Sequence, residues 1–70
     1  MNASVDARGL SCPQPAVLTR AALQKAGAGE VVVLVDARSQ VENCTRAAEQ
    51  LGWQTSVAEE DGVFTLTLKK

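Results

Sequence analysis

Cys12 is the residue of this chain whose surroundings most resemble those of a reactive side chain. It lies in the segment GLSCPQPA, residues 9–16, where two prolines follow the thiol and a helix-like pattern comes next. Proline is unfavourable inside a helix but suits its first turn, because the N–H groups there have no intrahelical partner. The prolines therefore predict a stiff first turn that fixes the direction of the thiol.

Two N-cap assignments fit this helix start. The residue before a proline is pushed out of the α region, so Cys12 suits the N-cap, with Pro13 and Pro15 at the first and third helical positions. Ser11 with Gln14 also fits a capping box, but Cys12 would then adopt a conformation that a following proline disfavours. We prefer Cys12 as the cap. The macrodipole would then favour a thiolate, with the backbone N–H of Gln14 as its donor.

Charged residues are predicted to lie close to this thiol. Arg8 comes between the first strand and the first helix, and Arg38 comes between the second strand and the second helix. In parallel βα units both junctions lie at the carboxyl edge of the sheet, where ligands of α/β proteins usually bind. We therefore expect Arg8, Arg38 and Cys12 to share one edge and to give it a positive bias. Asp6 and Asp36 lie near the same edge and could cancel part of that charge.

The elements that must position these side chains follow the order βαβαββ. Strands joined through a helix should run parallel, the last two strands should form a hairpin, and both helices should lie on one face. The predicted fold is a two-layer α/β sandwich of the α+β type, with a mixed four-stranded sheet. The predicted strands are 4–7, 30–36, 53–59 and 63–68, and the predicted helices are 13–26 and 39–51.

Local signals support these boundaries. Gly27 suits a left-handed helix end, and Gly52 suits the C′ position of the second helix. Ser39 and Glu42 match a capping box that would start the second helix, and Asp61-Gly62 is a two-residue hairpin signal. The β-branched run 30–36 favours a strand that is central in its sheet or covered on both faces. In the last strand Phe64, Leu66 and Leu68 should face the core, and Thr65 and Thr67 the other side.

The helix faces assign different roles to the two cysteines. Cys44 lies at the centre of the apolar stripe of the second helix, which predicts a buried, structural thiol; the alternative is a resolving thiol for Cys12. Glu42 and Arg46 are spaced for an i,i+4 pair. On the first helix Val17 falls on the polar side. The stripe of the second helix is Val41, Cys44, Ala47, Ala48 and Leu51, and that of the first is Ala16, Leu18, Thr19, Ala22, Leu23 and Ala26.

Composition excludes several function classes. A length of 70 residues predicts one domain, 1–70, and a net charge of -1 argues against direct binding of nucleic acid through phosphate neutralisation. Without His, and with two cysteines that do not form CxxC, we expect no Cys–His nucleophile, no zinc site and no cofactor. No apolar run could span a membrane, and no secretory signal is visible, so we expect a cytoplasmic protein.

The segment Asp6-Ala7-Arg8-Gly9-Leu10-Ser11-Cys12-Pro13-Gln14-Pro15 resembles the D-x-x-G-L-x-C-P-x-P signature of the TusA/SirA-like family. The resemblance extends over essentially the whole chain. The segment VDARSQVEN, the LGW turn and EEDGVF are more similar to the branch related to the selenium-metabolism YedF proteins. Proteins of that branch usually carry a second domain, and we expect this chain to be a stand-alone form of their N-terminal domain.

Membership of this family implies a small sulfurtransferase-type sulfur carrier. The resemblance assigns the persulfide-carrying role to Cys12 and implies a sulfur donor, such as a cysteine desulfurase or a rhodanese-like protein, and an acceptor protein. It also implies a sheet of order 1-2-4-3 with the fourth strand antiparallel. Residues expected to support the carrier or bind partners are Asp6, Arg8, Gly9, Leu10, Pro13, Gln14, Pro15 and Arg38.

Two other functions fit the residues. A non-catalytic binding or regulatory module would use the CPxP tip as a docking surface, flanked by Val17, Arg20 and Gln24. A redox switch would pair Cys12 with Cys44, although the central position of Cys44 in its apolar stripe counts against it. Neither the sulfur-transfer pathway nor the oligomeric state follows from these patterns.

Overall fold

The structure, a computed structural model, describes residues 2–10 and 14–70. Its elements follow the predicted order βαβαββ. They are β1 (Asn2–Asp6), α1 (Gln14–Ala26), β2 (Glu30–Val35), α2 (Arg38–Gln50), β3 (Gln54–Glu60) and β4 (Val63–Lys69). Boundaries differ from the predicted ones by one or two residues at most ends, and the predicted helix start at Pro13 lies outside the described residues. No helix in the described part of the chain combines the length and the apolar character needed to cross a membrane.

The four strands form one mixed sheet in the order β1-β2-β4-β3. β1 and β2 run parallel, and β4 runs antiparallel to both β2 and β3. This order and these directions confirm the prediction. The parallel pair places the carboxyl ends of β1 and β2, and hence the starts of both helices, at one edge of the sheet.

β2 is central, as its β-branched run predicts, but only one of its faces is fully covered. Val31, Val33 and Val35 are buried completely, whereas the residues between them are half-buried. Of the two predicted alternatives, a central strand is confirmed and a strand covered on both faces is not, because the two helices form a single layer. β4 alternates as predicted, with Phe64, Leu66 and Leu68 in the core.

The core is aliphatic and lies between the sheet and the helix layer. Its members are Ala7, Leu23, Val31, Val33, Val35, Cys44, Ala48, Trp53, Phe64, Leu66 and Leu68. On α1 the buried side chains are Pro15, Thr19 and Leu23, so the covered stripe begins at the proline. Leu18, predicted to face the core, is 40% exposed because it lies at the margin of this stripe, and Val17 is 59% exposed, as expected for its polar side.

Glycines end both helices in the predicted way. Gly52 has φ 83° and donates its N–H to Glu49 O at 3.0 Å, while the N–H of Trp53 reaches Ala48 O at 2.9 Å. This pair of bonds is a Schellman motif, and it satisfies carbonyls that the helix leaves without partners. Gly27, with φ 75°, ends α1 by donating to Leu23 O at 2.9 Å.

The start of α2 differs from the prediction. Ala37, in an extended conformation, is the N-cap, and no side chain caps the helix. The N–H groups of Gln40 and Val41 both donate to Ala37 O, which closes the first turn before Ser39 could act as a cap. The capping box of Ser39 and Glu42 is therefore wrong.

The β3–β4 turn confirms the predicted hairpin and determines at which edge of the sheet its tip lies. Asp61 and Gly62 have φ 52° and 79°, the signs of a type I′ turn, and Glu60 pairs with Val63. Val35, at the end of β2, pairs with Phe64. The tip of the hairpin thus lies at the same edge as the starts of the two helices.

Candidate functional site

The predicted site residues that the structure describes meet at the carboxyl edge of β1 and β2. Asp6 ends β1, Asp36 follows β2, and Arg8 lies in the turn after β1. Arg38 is also at this edge but is the first residue of α2, which corrects its predicted place in a loop. Cys12 and Pro13, with both proposed caps of the first helix, lie outside the described residues.

Asp6 and Arg8 form a bidentate ion pair. Arg8 Nε donates to Asp6 Oδ1 and Arg8 Nη2 donates to Oδ2, both at 2.9 Å, and the backbone N–H of Arg8 adds a bond to Oδ1 at 3.2 Å. The hydrogen bond and charge of Arg8 lower the pKa of the Asp6 carboxyl from 3.8 to about 2. Arg8 therefore carries a neutralised charge, and the positive bias expected from it is cancelled by its own neighbour.

Gly9 connects this turn to the end of β2. Its N–H donates to Asp36 Oδ2 at 2.9 Å, across 27 residues of sequence. Gly9 has φ 76°, which L side chains rarely adopt, although a Cβ at this position would have no atom within 4 Å. The conformation, and not a lack of space, is what requires glycine here. The sequence indicated where Asp36 would lie, but not that it anchors the loop.

The residues on each side of positions 11–13 are held in different ways. Leu10 is half-buried and packs against the core. Pro15 is fully buried at the start of α1, and its carbonyl accepts a hydrogen bond from Thr19 Oγ1 at 2.8 Å. Gln14, between them, is exposed. Leu10 and Pro15, the described residues near each end of this segment in sequence, are therefore both held by the core.

Arg38 contributes charge farther along the same edge. Its guanidinium carbon lies 5.7 Å from the centre of the Phe64 ring, within range of a cation–π interaction. This contact directs the side chain of Arg38 toward β4, which lies on the far side of β2 from β1.

The hairpin tip brings acidic residues that the sequence interpretation did not assign to this edge. Glu59, Glu60 and Asp61 are all exposed there. Strand spacing puts the tip about 10–15 Å from β1, because two to three interstrand steps of about 4.8 Å separate them. With Asp6, Asp36 and these three acids against Arg8 and Arg38, the edge has five carboxylates and two guanidinium groups. The side chains therefore give this edge no net positive charge, contrary to the expected bias.

Cys44 is buried completely, as its place in the apolar stripe predicts. Its Sγ lies 3.3 Å from Thr19 Oγ1, the hydroxyl that also contacts the Pro15 carbonyl. Burial raises the pKa of the Cys44 thiol, and the contact with Thr19 offsets part of that increase. A thiol in this state is a weak nucleophile, since the thiolate is the reactive form.

Gln40 is a buried polar residue that the pattern analysis missed. It is 5% exposed on the first turn of α2, and its Oε1 has no hydrogen-bond partner among the described residues. The sequence gives no signal for the burial of this side chain. The apolar stripe of a helix is identified from its apolar members, and a single polar residue beside them is assigned to the exposed face.

The described residues contain no group of three or more His, Cys, Asp or Glu side chains able to hold a metal ion. What they do provide is a frame. An ion-paired turn and a glycine bonded to Asp36 precede positions 11–13 in the chain, and a buried proline follows them.

Comparison with known proteins agrees with this geometry. The crystal structure of a SirA-like protein from Desulfitobacterium hafniense matches the fold with a TM-score of 0.90 and 36% sequence identity, over 96% of this chain and 95% of that chain. No curated protein matched. The family model described as sulfurtransferase TusA matches residues 3–70. The chain therefore belongs to the TusA sulfurtransferase family.

Proposed function

We propose that this protein is a sulfur carrier that accepts sulfane sulfur as a persulfide on Cys12 and passes it to a partner protein. The Cys12 thiolate attacks the outer sulfur of a donor persulfide, R–S–SH. A new S–S bond forms at Cys12, the S–S bond of the donor breaks, and the donor leaves as a thiolate. The proton of the outer sulfur stays on it or exchanges with water, so the step needs no external oxidant or reductant.

The observation that carries this proposal is the frame on both sides of the thiol segment. The signature D-x-x-G-L-x-C-P-x-P specifies the residues of that frame on this chain except Arg8, which occupies a variable position, and Asp36, which lies outside it. Its Asp and Gly are Asp6 and Gly9, which hold the turn, and its last proline is the buried Pro15. Residues that define the signature therefore hold the chain before and after its cysteine in sequence.

Cys44 supports the same assignment because it is poorly suited to carry sulfur itself. The chain has two cysteines, and Cys44 is completely buried with a raised thiol pKa. It is therefore neither an accessible acceptor of sulfur nor a ready attacker of a persulfide on Cys12. That burial favours a carrier over a redox switch, since a resolving thiol would release the cargo.

Transfer requires a donor and an acceptor, and the relays in which the family acts involve partner proteins. A cysteine desulfurase or rhodanese-like donor and a cytoplasmic location are parts of this proposal. The chemistry of the carrier is the same for any such pair, because the exchange uses only the sulfur atoms of the two proteins.

The test is mass spectrometry of the folded, reduced protein after incubation with a cysteine desulfurase and cysteine, and separately with inorganic polysulfide. We expect the mass to increase by one sulfur atom, the adduct to be removed by dithiothreitol, and peptide mapping to place it on Cys12. Cys12→Ser should lose the adduct with its fold intact, as judged by circular dichroism. Cys44→Ala is the matched control and should load as the unaltered chain does.

An adduct that persists in Cys12→Ser would refute the carrier role of Cys12. Absence of an adduct with both donors would instead favour a binding or regulatory module that uses the CPxP tip for docking. The polysulfide arm makes this distinction possible, because it requires no recognition between two proteins.

A further inference from the structure

A groove separates the two helices on the outer surface of the helix layer. It has a volume of about 450 Å³, and it opens near the start of α1. Its lining residues are Ala16, Val17, Arg20, Asn43, Arg46, Ala47 and Gln50. Neither the sheet edge nor the chemistry proposed for Cys12 accounts for this groove.

The charged side chains that line the groove are all positive. Arg20 and Arg46 line it, and no lining residue is acidic. α1 as a whole carries Arg20 and Lys25 but no carboxylate. Arg46 could have been neutralised by the predicted pair with Glu42, but that pair does not form, and the ion pairs among the described residues lie elsewhere. This region is positive on a chain whose net charge is -1.

One of the two arginines is already oriented. Arg20 Nη2 donates to Gln50 Oε1 at 2.7 Å, which links α1 to α2 across the groove. A guanidinium has five N–H donors in a planar fork. The bond to an uncharged amide fixes the plane of Arg20 while leaving its charge and its other donors for an incoming acceptor, and carboxylates match that geometry best.

The apolar part of the groove is aliphatic. Val17 is 59% exposed and is the most exposed large hydrophobic side chain among the described residues. Ala16 and Ala47 are small, so they leave room beside it. The combination suits a segment with one medium-sized apolar side chain next to acidic ones.

We propose that this groove docks a sulfur-relay partner through an acidic segment that also carries an aliphatic side chain. This inference rests on the proposed function, because Val17 lies on the first turn of α1, directly after the segment that holds Cys12. A partner bound there would contact residues that follow the thiol closely in sequence. Two arginines are too few to bind a nucleic-acid backbone strongly, since such affinity grows with each phosphate neutralised.

The test uses two short peptides, one of alternating glutamate and leucine and one of alternating lysine and leucine, titrated into the ¹⁵N-labelled chain. We expect the acidic peptide to shift the backbone amides of the groove residues and the basic peptide to leave them unchanged. The double variant Arg20→Glu/Arg46→Glu should weaken binding about tenfold or more, since each reversed charge turns attraction into repulsion. Lys25→Glu, on the same helix but outside the groove, should change it by about twofold at most.

Several results of this titration would overturn the proposal. These are amide shifts outside the groove, equal affinity for the two peptides, and binding that is insensitive to the double variant. Groove amides that shift with protein concentration alone would show that a second copy of the chain is the occupant, and this too would refute docking of a partner.

Sulfur loading from inorganic polysulfide separates this proposal from the function on which it rests. The double variant should load as the unaltered chain does, because Arg20 and Arg46 line the groove and take no part in the exchange. A chain that binds the acidic peptide in the groove but takes up no sulfur would refute the carrier function alone. A chain that loads sulfur but binds neither peptide would refute the groove alone.

Discussion

The two junctions between a strand and a helix in this fold differ in length and in what they do. Seven residues separate β1 from α1, whereas two separate β2 from α2. The long junction contains a left-handed glycine and an arginine paired with the last residue of β1, and its sequence includes Cys12. The short junction has an extended alanine as N-cap and no side-chain cap.

The short junction also supports the long one. Asp36, the first residue after β2, accepts the hydrogen bond of Gly9 in the other junction. The turn that begins the long junction is thereby bonded to the residue that follows β2, and a charged acceptor makes this bond stronger than a bond to a neutral group. The comparison indicates that the short junction supplies the acceptor that holds the first residues of the long one.

Removal of the tie should have the largest effect. Asp36→Ala leaves the N–H of Gly9 without its acceptor, and we expect a loss of about 1–2 kcal/mol in the free energy of unfolding, the lower range for a bond to a charged group at an exposed site. On the proposed function, sulfur loading should also slow, because the turn that precedes Cys12 in sequence loses its bond to Asp36. Urea unfolding and the loading rate measure the two effects.

Asp36→Asn is the matched variant, since its side-chain oxygen can still accept the bond. It should recover most of both losses. Equal effects of alanine and asparagine would show that charge, and not the tie to Gly9, is what matters at this position.

The glycine of the long junction gives the next effect. Gly9→Ala places a Cβ on a residue with φ 76°, in otherwise open space, so we expect a cost of about 1 kcal/mol from the backbone alone. Gly9→Asn should cost less, because asparagine tolerates the left-handed region. Thermal unfolding of the two variants decides the point, and an alanine variant as stable as the unaltered chain would refute the strained geometry.

The short junction should respond in the opposite direction. Ala37 is an N-cap without a side-chain acceptor, and its φ of -143° and ψ of 141° are typical of a cap. Ala37→Ser should therefore stabilise the protein by about 0.5–1 kcal/mol, measured by urea unfolding. Ala37→Val, which adds bulk without an acceptor, is the control, and a similar gain in both variants would contradict the capping explanation.

Much of the fold can be predicted from the sequence because it depends on the spacing of apolar residues and on local signals for turns and helix ends. Alternation identifies β4, the glycines after positions 26 and 51 end the helices, and Asp61-Gly62 determines the hairpin. Together with right-handed crossovers these signals determine the edge at which the site residues meet. The resemblance supplies the sheet order.

Features that depend on contacts between distant segments could not be predicted from the same patterns. The bond from Gly9 to Asp36 joins residues 27 positions apart, and the hairpin acids reach the site edge only through the register of β4 on β2. The capping box of Ser39 was misleading because a short junction starts the helix earlier. A capping-box pattern reports only on neighbouring residues. The start of α2 depends instead on where β2 ends.

The ion pair of the long junction gives the smallest effect and a defined pH window. Asp6 has a pKa lowered from 3.8 to about 2 by Arg8, so the folded state binds its proton less readily than the unfolded state. The stabilisation is therefore present above pH 3.8 and is lost as the pH falls from 3.8 to about 2. NMR titration of the Asp6 carboxyl carbon should show this lowered pKa, and Arg8→Gln should return it toward 3.8. The stability difference between the two proteins should vanish at the acid end of that window. A difference that is constant across it would mean that Arg8 acts on the fold through its packing, and that the turn of the long junction does not depend on its charge pair.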